Sequence, residues 1–249
     1  MTMAPRRERP ASIVYPVTPD PVTWVMRDED NMPESPLHRE ASETLRSLLA
    51  CWIERTGRDA EVGCNRGVRW DAENPMFGVD PDVYVIEPRP PPGRRHVSLR
   101  TWEPGVNPPS LAVEVVSENN AVKDYVVAPD KYAASRTREL WVFDPLQMGP
   151  AVRGGPHRLQ LWRPGEGPAF SRVLSAWVVV TDGGTRLRVA DDAAGQRRWP
   201  TEAERERARA DEERARADAL SSSLSSVLAS LPPEALASLP ERLKGLLPR

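Results

Sequence analysis

The sequence predicts an α/β protein built on a mixed sheet, and three observations predict it. Apolar residues recur at helical spacing from Leu37 through Leu45, Leu48, Leu49 and Trp52 to Ile53. Four short β-branched or aromatic runs follow: RGVRW (66–70), VDPDVYVIE (79–87), SLAVEVVS (110–117) and ELWVFDP (139–145), each bounded by Gly, Pro or Asn. A short helical stretch around 129–136 separates the last two, and an order of helix, strands, helix, strand calls for helices flanking a sheet.

Each element has a local cause. Residues 1–30 read as an irregular arm, with Pro at positions 5, 10, 16, 19 and 21. Ser35 is suited to cap a helix and Pro36 to its first position, while Gly57 is suited to end it. RLQLWRP (158–164) and AWVVVTDGGTRLRVA (176–190) read as further strands, the Asp-Gly-Gly in the second as a hairpin turn. From Pro200 the character changes. Thr201 to Glu204 is a capping box, followed by acid-to-Arg pairs three apart, such as Glu202–Arg205 and Glu213–Arg216, that support an exposed helix. Leu220, Leu224, Val227 and Leu231 then step by 4, 3 and 4, the rhythm of a coiled-coil seam. Prolines end this helix near 231. The organisation expected is an arm (1–30), a folded domain (31–199), and a helix with a proline-containing tail (200–249). That last segment reads either as an association module or as a solvated helix lying on its own domain.

Composition excludes several classes. The formal net charge is −2 and no segment is strongly basic, so any nucleic-acid contact must come from a local patch. Two cysteines and three histidines supply no zinc-ligand set. No secretory hydrophobic region follows Met1, and apolar runs such as AWVVV (176–180) are too short to span a bilayer. A cytoplasmic protein with reduced Cys51 and Cys64 is expected, without a membrane partner.

The chemistry concentrates in LAVEVVS. Ala112, Glu114 and Val116 alternate onto one face of that strand. An ionised Glu on a covered strand is costly unless paired or bound to a metal. Asp82 follows Pro81 at the entry of VDPDVYVIE. If the two strands are neighbours, Asp82 and Glu114 converge, and two carboxylates with room for waters suit Mg²⁺. Such an ion activates a water against a phosphodiester, and an ammonium nearby stabilises the charge that develops. The chain has three lysines, and Lys123 and Lys131 follow this strand closely.

In order, Pro81-Asp82, Glu114-Val115-Val116, a helix with Lys and Tyr, and Glu139-Leu-Trp-Val-Phe-Asp144-Pro145 resemble the PD-(D/E)XK nuclease superfamily. More narrowly they resemble the bacterial Uma-type restriction endonuclease family, and His38 on the first helix and the charged C-terminal helix also fit it. The resemblance covers roughly residues 35–190. It implies a restriction-endonuclease-like mixed sheet flanked by helices over 31–199, Mg²⁺ or Mn²⁺ as cofactor, and hydrolysis of DNA. It implies that Asp82, Glu114 and the Val115 carbonyl hold the metal. The superfamily's E-x-K lysine position is Val116 here, and the narrower family moves the lysine to the following helix, which makes Lys131 the candidate and Lys123 the second choice. The family spacing, anchored on Asp124 and Tyr132, puts the lysine at Ala128, and Lys131 is displaced from it by three. Pro129 argues against one continuous helix from 124.

Other residues weigh less. Asp124 reads as a cap or turn acid, Tyr132 and Trp141 as core, and His38 as a helix-start structural residue. The loop 89–100 offers Arg94, Arg95 and Arg100 to phosphates, or is merely solvated. The expected activity is a metal-dependent endonuclease acting on DNA as a homodimer through the C-terminal helix. The alternative is a binding or scaffold protein on the same fold with weakened catalysis.

Overall fold

The computed structural model describes residues 35–91, 98–117, 121–150, 156–162, 170–232 and 234. The expected arm (1–30), Arg94 and Arg95, and the tail from 235 lie outside the described residues. The chain divides into two units, Met1–Thr201 and Glu202–Arg249.

In the first unit, α1 (Pro36–Thr56) starts where its sequence asks it to. The Ser35 hydroxyl accepts a hydrogen bond from the His38 amide at 3.2 Å, and Pro36 stands where a missing N–H costs nothing. The helix ends at Gly57, whose φ of 63° is the left-handed cap a glycine adopts freely.

Eleven strands are described: β1 (Glu61–Gly63), β2 (Gly67–Arg69), β3 (Gly78–Val79), β4 (Val83–Ile86), β5 (Ser98–Arg100), β6 (Leu111–Val115), β7 (Leu140–Phe143), β8 (Leu159–Trp162), β9 (Phe170–Ser171), β10 (Ala176–Thr181) and β11 (Arg186–Ala190). The main sheet has the order β1-β4-β6-β7-β8. All its pairs are antiparallel except β6 with β7, so the sheet is mixed. A parallel pair needs a crossover. Here that crossover carries a π-helical turn (Lys123–Val127) and α2 (Ala128–Ala134).

The two faces of the main sheet are covered differently. Val83, Val85, Leu111, Val113, Trp141 and Phe143 pack on Leu45, Leu48, Leu49 and Trp52 of α1 and on Val178, Leu187 and Val189 of the β9–β11 sheet. Leu45, Leu48 and Leu49 are fully buried, each worth about 1.5–3 kcal/mol of transfer free energy. Tyr84, Ile86, Ala112, Leu140 and Val142 face the other way, onto Tyr125, Ala128 and Tyr132 of the crossover and Val68, Val79 and Leu99 of the small sheet β3-β2-β5.

One expected strand is two. VDPDVYVIE breaks at Asp80-Pro81-Asp82, so that β3 and β4 join different sheets. Pro81 has no N–H to give a ladder, and its carbonyl instead accepts from the Asn65 amide at 3.0 Å. The Asp-Gly-Gly between β10 and β11 forms a 3-10 turn, with Gly183 and Gly184 at φ of 68° and 104°.

The crossover is anchored at Tyr125. Its buried hydroxyl donates to Asp144 Oδ2 at 2.8 Å and accepts from the His157 amide at 3.0 Å. The Gly149 amide reaches the same Asp144 oxygen at 2.8 Å, and any side chain at Gly149 would collide with the Tyr125 ring. Tyr125→Phe removes the hydroxyl's bonds to Asp144 and His157 while keeping the ring. The expected cost is about 1–3 kcal/mol, read as a fall in the urea midpoint with an unchanged m-value.

In the second unit, α3 (Glu202–Ala229) follows the capping box and ends before the prolines. Leu220, Leu224 and Val227 are exposed on it. No described helix is long and apolar enough to cross a membrane.

Candidate active site

The site lies where β4 and β6 part. The last antiparallel rungs pair Tyr84 with Ala112 and Val83 with Val113. One step further along that register, Asp82 stands across from Glu114. Both side chains fall on the crossover face, two residues from Tyr84 and from Ala112 respectively. Beyond the last rung Asp82 itself closes the ladder, since its Oδ2 accepts from the Val115 amide at 2.6 Å. The Val115 carbonyl points to the same lateral side as its amide, toward Asp82, because one strand residue presents both groups to one neighbour.

Asp82 has a second partner from α1. The His38 Nε2 lies 3.2 Å from Asp82 Oδ2. The Ser35 cap fixes the turn carrying this imidazole. Two anchors from different elements therefore set the orientation of one carboxyl group.

Glu114 is buried to 3% exposure. The Tyr132 hydroxyl of α2 donates to its Oε1 at 2.6 Å, and the Lys123 ammonium lies 3.8 Å from its Oε2. The same ammonium is 3.2 Å from Asp124 Oδ1. Burial, reinforced by the charges of Asp82 and Asp124, pushes the Glu114 carboxyl up to about 8, against the pull of Lys123 and the Tyr132 hydrogen bond. Burial likewise lifts the Asp124 carboxyl to about 6, with Lys123 opposing it. Lys123 is held well above the ordinary lysine range, chiefly by the Glu114 charge. It is thus a permanent cation and hydrogen-bond donor, not a base. Burial, then the Glu114 charge, raises the Tyr132 hydroxyl, which keeps its proton for that bond.

The residues expected from the sequence are placed as follows. Asp82, Glu114 and Val115 come together. Lys131 is half-exposed on α2, and the groups that act most strongly on Glu114 are Lys123, Asp82, Asp124 and Tyr132. Lys123 places its ammonium beside both the Glu114 and the Asp124 carboxyls. The π-helical turn explains the change of register. Its Ala128 amide bonds to the Lys123 carbonyl, an i to i+5 step, so the helical path reaches Pro129 without needing the amide proline lacks. Tyr132, one residue after Lys131 and about 100° further round α2, takes the position facing Glu114. Asp124, read as a turn acid, is buried within the cluster at 2% exposure. Its sequence signal was adjacency to a lysine just after an acid-bearing strand.

Among the described residues no three His, Cys, Asp or Glu side chains converge tightly enough to cage a metal alone. A divalent cation held by one or two carboxylates completes its shell with waters. The donor set passes a chemical test as well. Glu114 is a buried carboxyl that its own surroundings make reluctant to ionise, and a divalent cation beside it would reverse that balance.

A family model described as "Uma2: Putative restriction endonuclease" matches residues 29–155. Among solved structures, the chain is similar to one titled as a putative nuclease belonging to DUF820 from Anabaena variabilis ATCC 29413. The identity is 13%, the TM-score 0.41, and the match covers 62% of this chain and 76% of that one. The comparison with curated proteins finds no match.

Proposed function

The chain belongs to the Uma2 family, and from that premise we propose that it is a metal-dependent endonuclease hydrolysing DNA phosphodiesters between Asp82, Glu114 and Lys123. The observation that carries the reading is the buried carboxyl of Glu114, set across from Asp82 with one ammonium beside it. Such a cluster is poor packing, and its perturbed groups are what hydrolytic chemistry requires.

Asp82, Glu114 and the Val115 carbonyl would hold Mg²⁺, or Mn²⁺ in its place. Bound there, the ion would supply an activated water and positive charge against the phosphodiester under attack. His38 and the Val115 amide keep Asp82 from turning away. Tyr132 holds one oxygen of Glu114 and leaves the other toward Lys123. Lys123, always protonated, donates to a phosphate oxygen and stabilises the charge that grows there. Asp124 keeps that ammonium in place. A homodimer through the exposed Leu220, Leu224 and Val227 of α3 would bring two such sites to the two strands of a duplex, in a cytoplasmic protein.

The test is nicking of supercoiled plasmid with Mg²⁺ or Mn²⁺ by wild type and Asp82→Ala. The expected result is cleavage by wild type, none with EDTA, and a loss of at least about 10³-fold in the variant, which circular dichroism should show still folded. No cleavage, together with no metal binding by wild type, would replace this reading with a binding or scaffold role.

A further inference from the structure

The small sheet beside the site has an outer face with a specific composition. Val68, Val79 and Leu99 point into the core. By alternation the opposite face carries Gly67 and Arg69 of β2, Gly78 of β3, and Ser98 and Arg100 of β5. Arg69 is in register with Gly78 on one side and with Arg100 on the other. Two arginines therefore stand next to each other on a floor of small residues. The Arg69 guanidinium lies back over that floor, since an added Cβ at Gly67 or Gly78 would run into it.

Like charges on neighbouring strands are unfavourable unless anions offset them. Acids of the chain stand near both arginines. Asp80 acts on Arg69, and Arg100 meets Glu103 at 3.7 Å with the arginine side chain 47% exposed. Such a surface pair is weak and exchangeable. The face is also joined to the site. β3 leads through Asp80 and Pro81 directly to Asp82, α2 packs against β3, and the Lys123 charge is felt at Asp80.

We propose that this outer face is a platform for the phosphodiester backbone of duplex DNA, with Arg69 and Arg100 each holding a phosphate next to the one at the carboxylates. The proposal rests on the nuclease reading and names its substrate-positioning residues. Glycines at 67 and 78 let the Arg69 fork lie flat, where it presents paired N–H groups to phosphate oxygens. Contacts of this kind position the duplex without reading its sequence.

The experiment is the binding of a fluorescent duplex in EDTA as salt is raised stepwise, with plasmid cleavage measured in parallel. Each phosphate contact contributes about 0.9 to the slope of log affinity against log salt. Wild type should bind, and Arg69→Gln/Arg100→Gln should lower the slope by nearly two while keeping the wild-type melting temperature. Should the double variant fold poorly, Arg100→Gln alone, at an exposed position, should lower it by about one. A folded variant with the wild-type slope, in a protein that still binds and cuts, would overturn this proposal alone. A wild type that binds no duplex at any salt would overturn it together with the nuclease reading.

Discussion

Lys123→Met should reduce metal-dependent cleavage by about 10²- to 10³-fold, the usual cost of losing one donor to a developing oxyanion, while Lys131→Met stays within about threefold of wild type. The contrast follows from position. Lys123 lies 3.8 Å from Glu114 and 3.2 Å from Asp124, whereas Lys131 is not among the main influences on either carboxyl. The Lys123 side chain is 43% exposed, so the worth of Lys123 lies in where the charge stands and not in fold stability. Initial rates of plasmid nicking in single-turnover conditions decide the matter, with circular dichroism as the control. A dead Lys131→Met beside an active Lys123→Met would transfer the role back to α2. Lys123→Arg keeps the charge but spreads it over a wider fork, so partial activity is expected there.

Glu114→Gln should abolish cleavage and, at pH 8, make the metal-free protein more stable. The folded Glu114 carboxyl is raised from 4.5 to about 8, first by burial and then by Asp82 and Asp124, against Lys123 and Tyr132. The folded state therefore holds the proton more tightly than the unfolded chain. That contribution is complete below about pH 4.5 and is lost as pH rises to about 8. Gln never ionises and can still accept the Tyr132 hydroxyl bond. Wild type should lose stability across this window, and the variant should lose less, with a residual slope from Asp124, which titrates in the same sense near 6. A difference of about 1 kcal/mol appears as roughly 2–4 °C in a chain of this size. Melting curves at pH 5 and pH 8 in EDTA read it. Equal pH slopes for both proteins would show that Glu114 ionises freely when folded. The prediction is the usual exchange of stability for function at one residue.

Much of this was legible in the sequence, for physical reasons that differ by element. Ser35-Pro36 and Gly57 fix both ends of α1 by local chemistry alone. Alternation placed Glu114 on one face with Ala112 and Val116, and the observed pairing of β4 with β6 supplies the neighbour that brings Asp82 across from it. The break at Pro81 was visible as a proline, but its effect, sending β3 and β4 into different sheets, depends on partners far away in sequence. The family resemblance favoured Lys131, which shares a helix side with the expected slot at Ala128, while Pro129 spoke against one continuous α-helix from 124. A π-helical turn passes that proline with a different hydrogen-bond step, which no 3.6-residue period reveals. The Tyr132 hydroxyl and the His38 imidazole looked structural for the same reason: each becomes part of the site only through a tertiary neighbour. Arg69 gave no local signal at all, since its significance comes from lying across from Gly78 and beside Arg100.

The connection between β6 and β7 has a practical meaning for anyone cutting or extending this chain. It both carries Lys123 and Tyr132 and closes the single parallel pair of the main sheet. A tag inserted there would disturb sheet closure and the ammonium's position in one stroke, so no permutant opened at that point should retain activity after refolding. The hairpin between β10 and β11 is different. Its exposed Asp182-Gly183 tip holds no site residue, and insertions at such tips are commonly tolerated. New termini or a reporter domain belong at that hairpin.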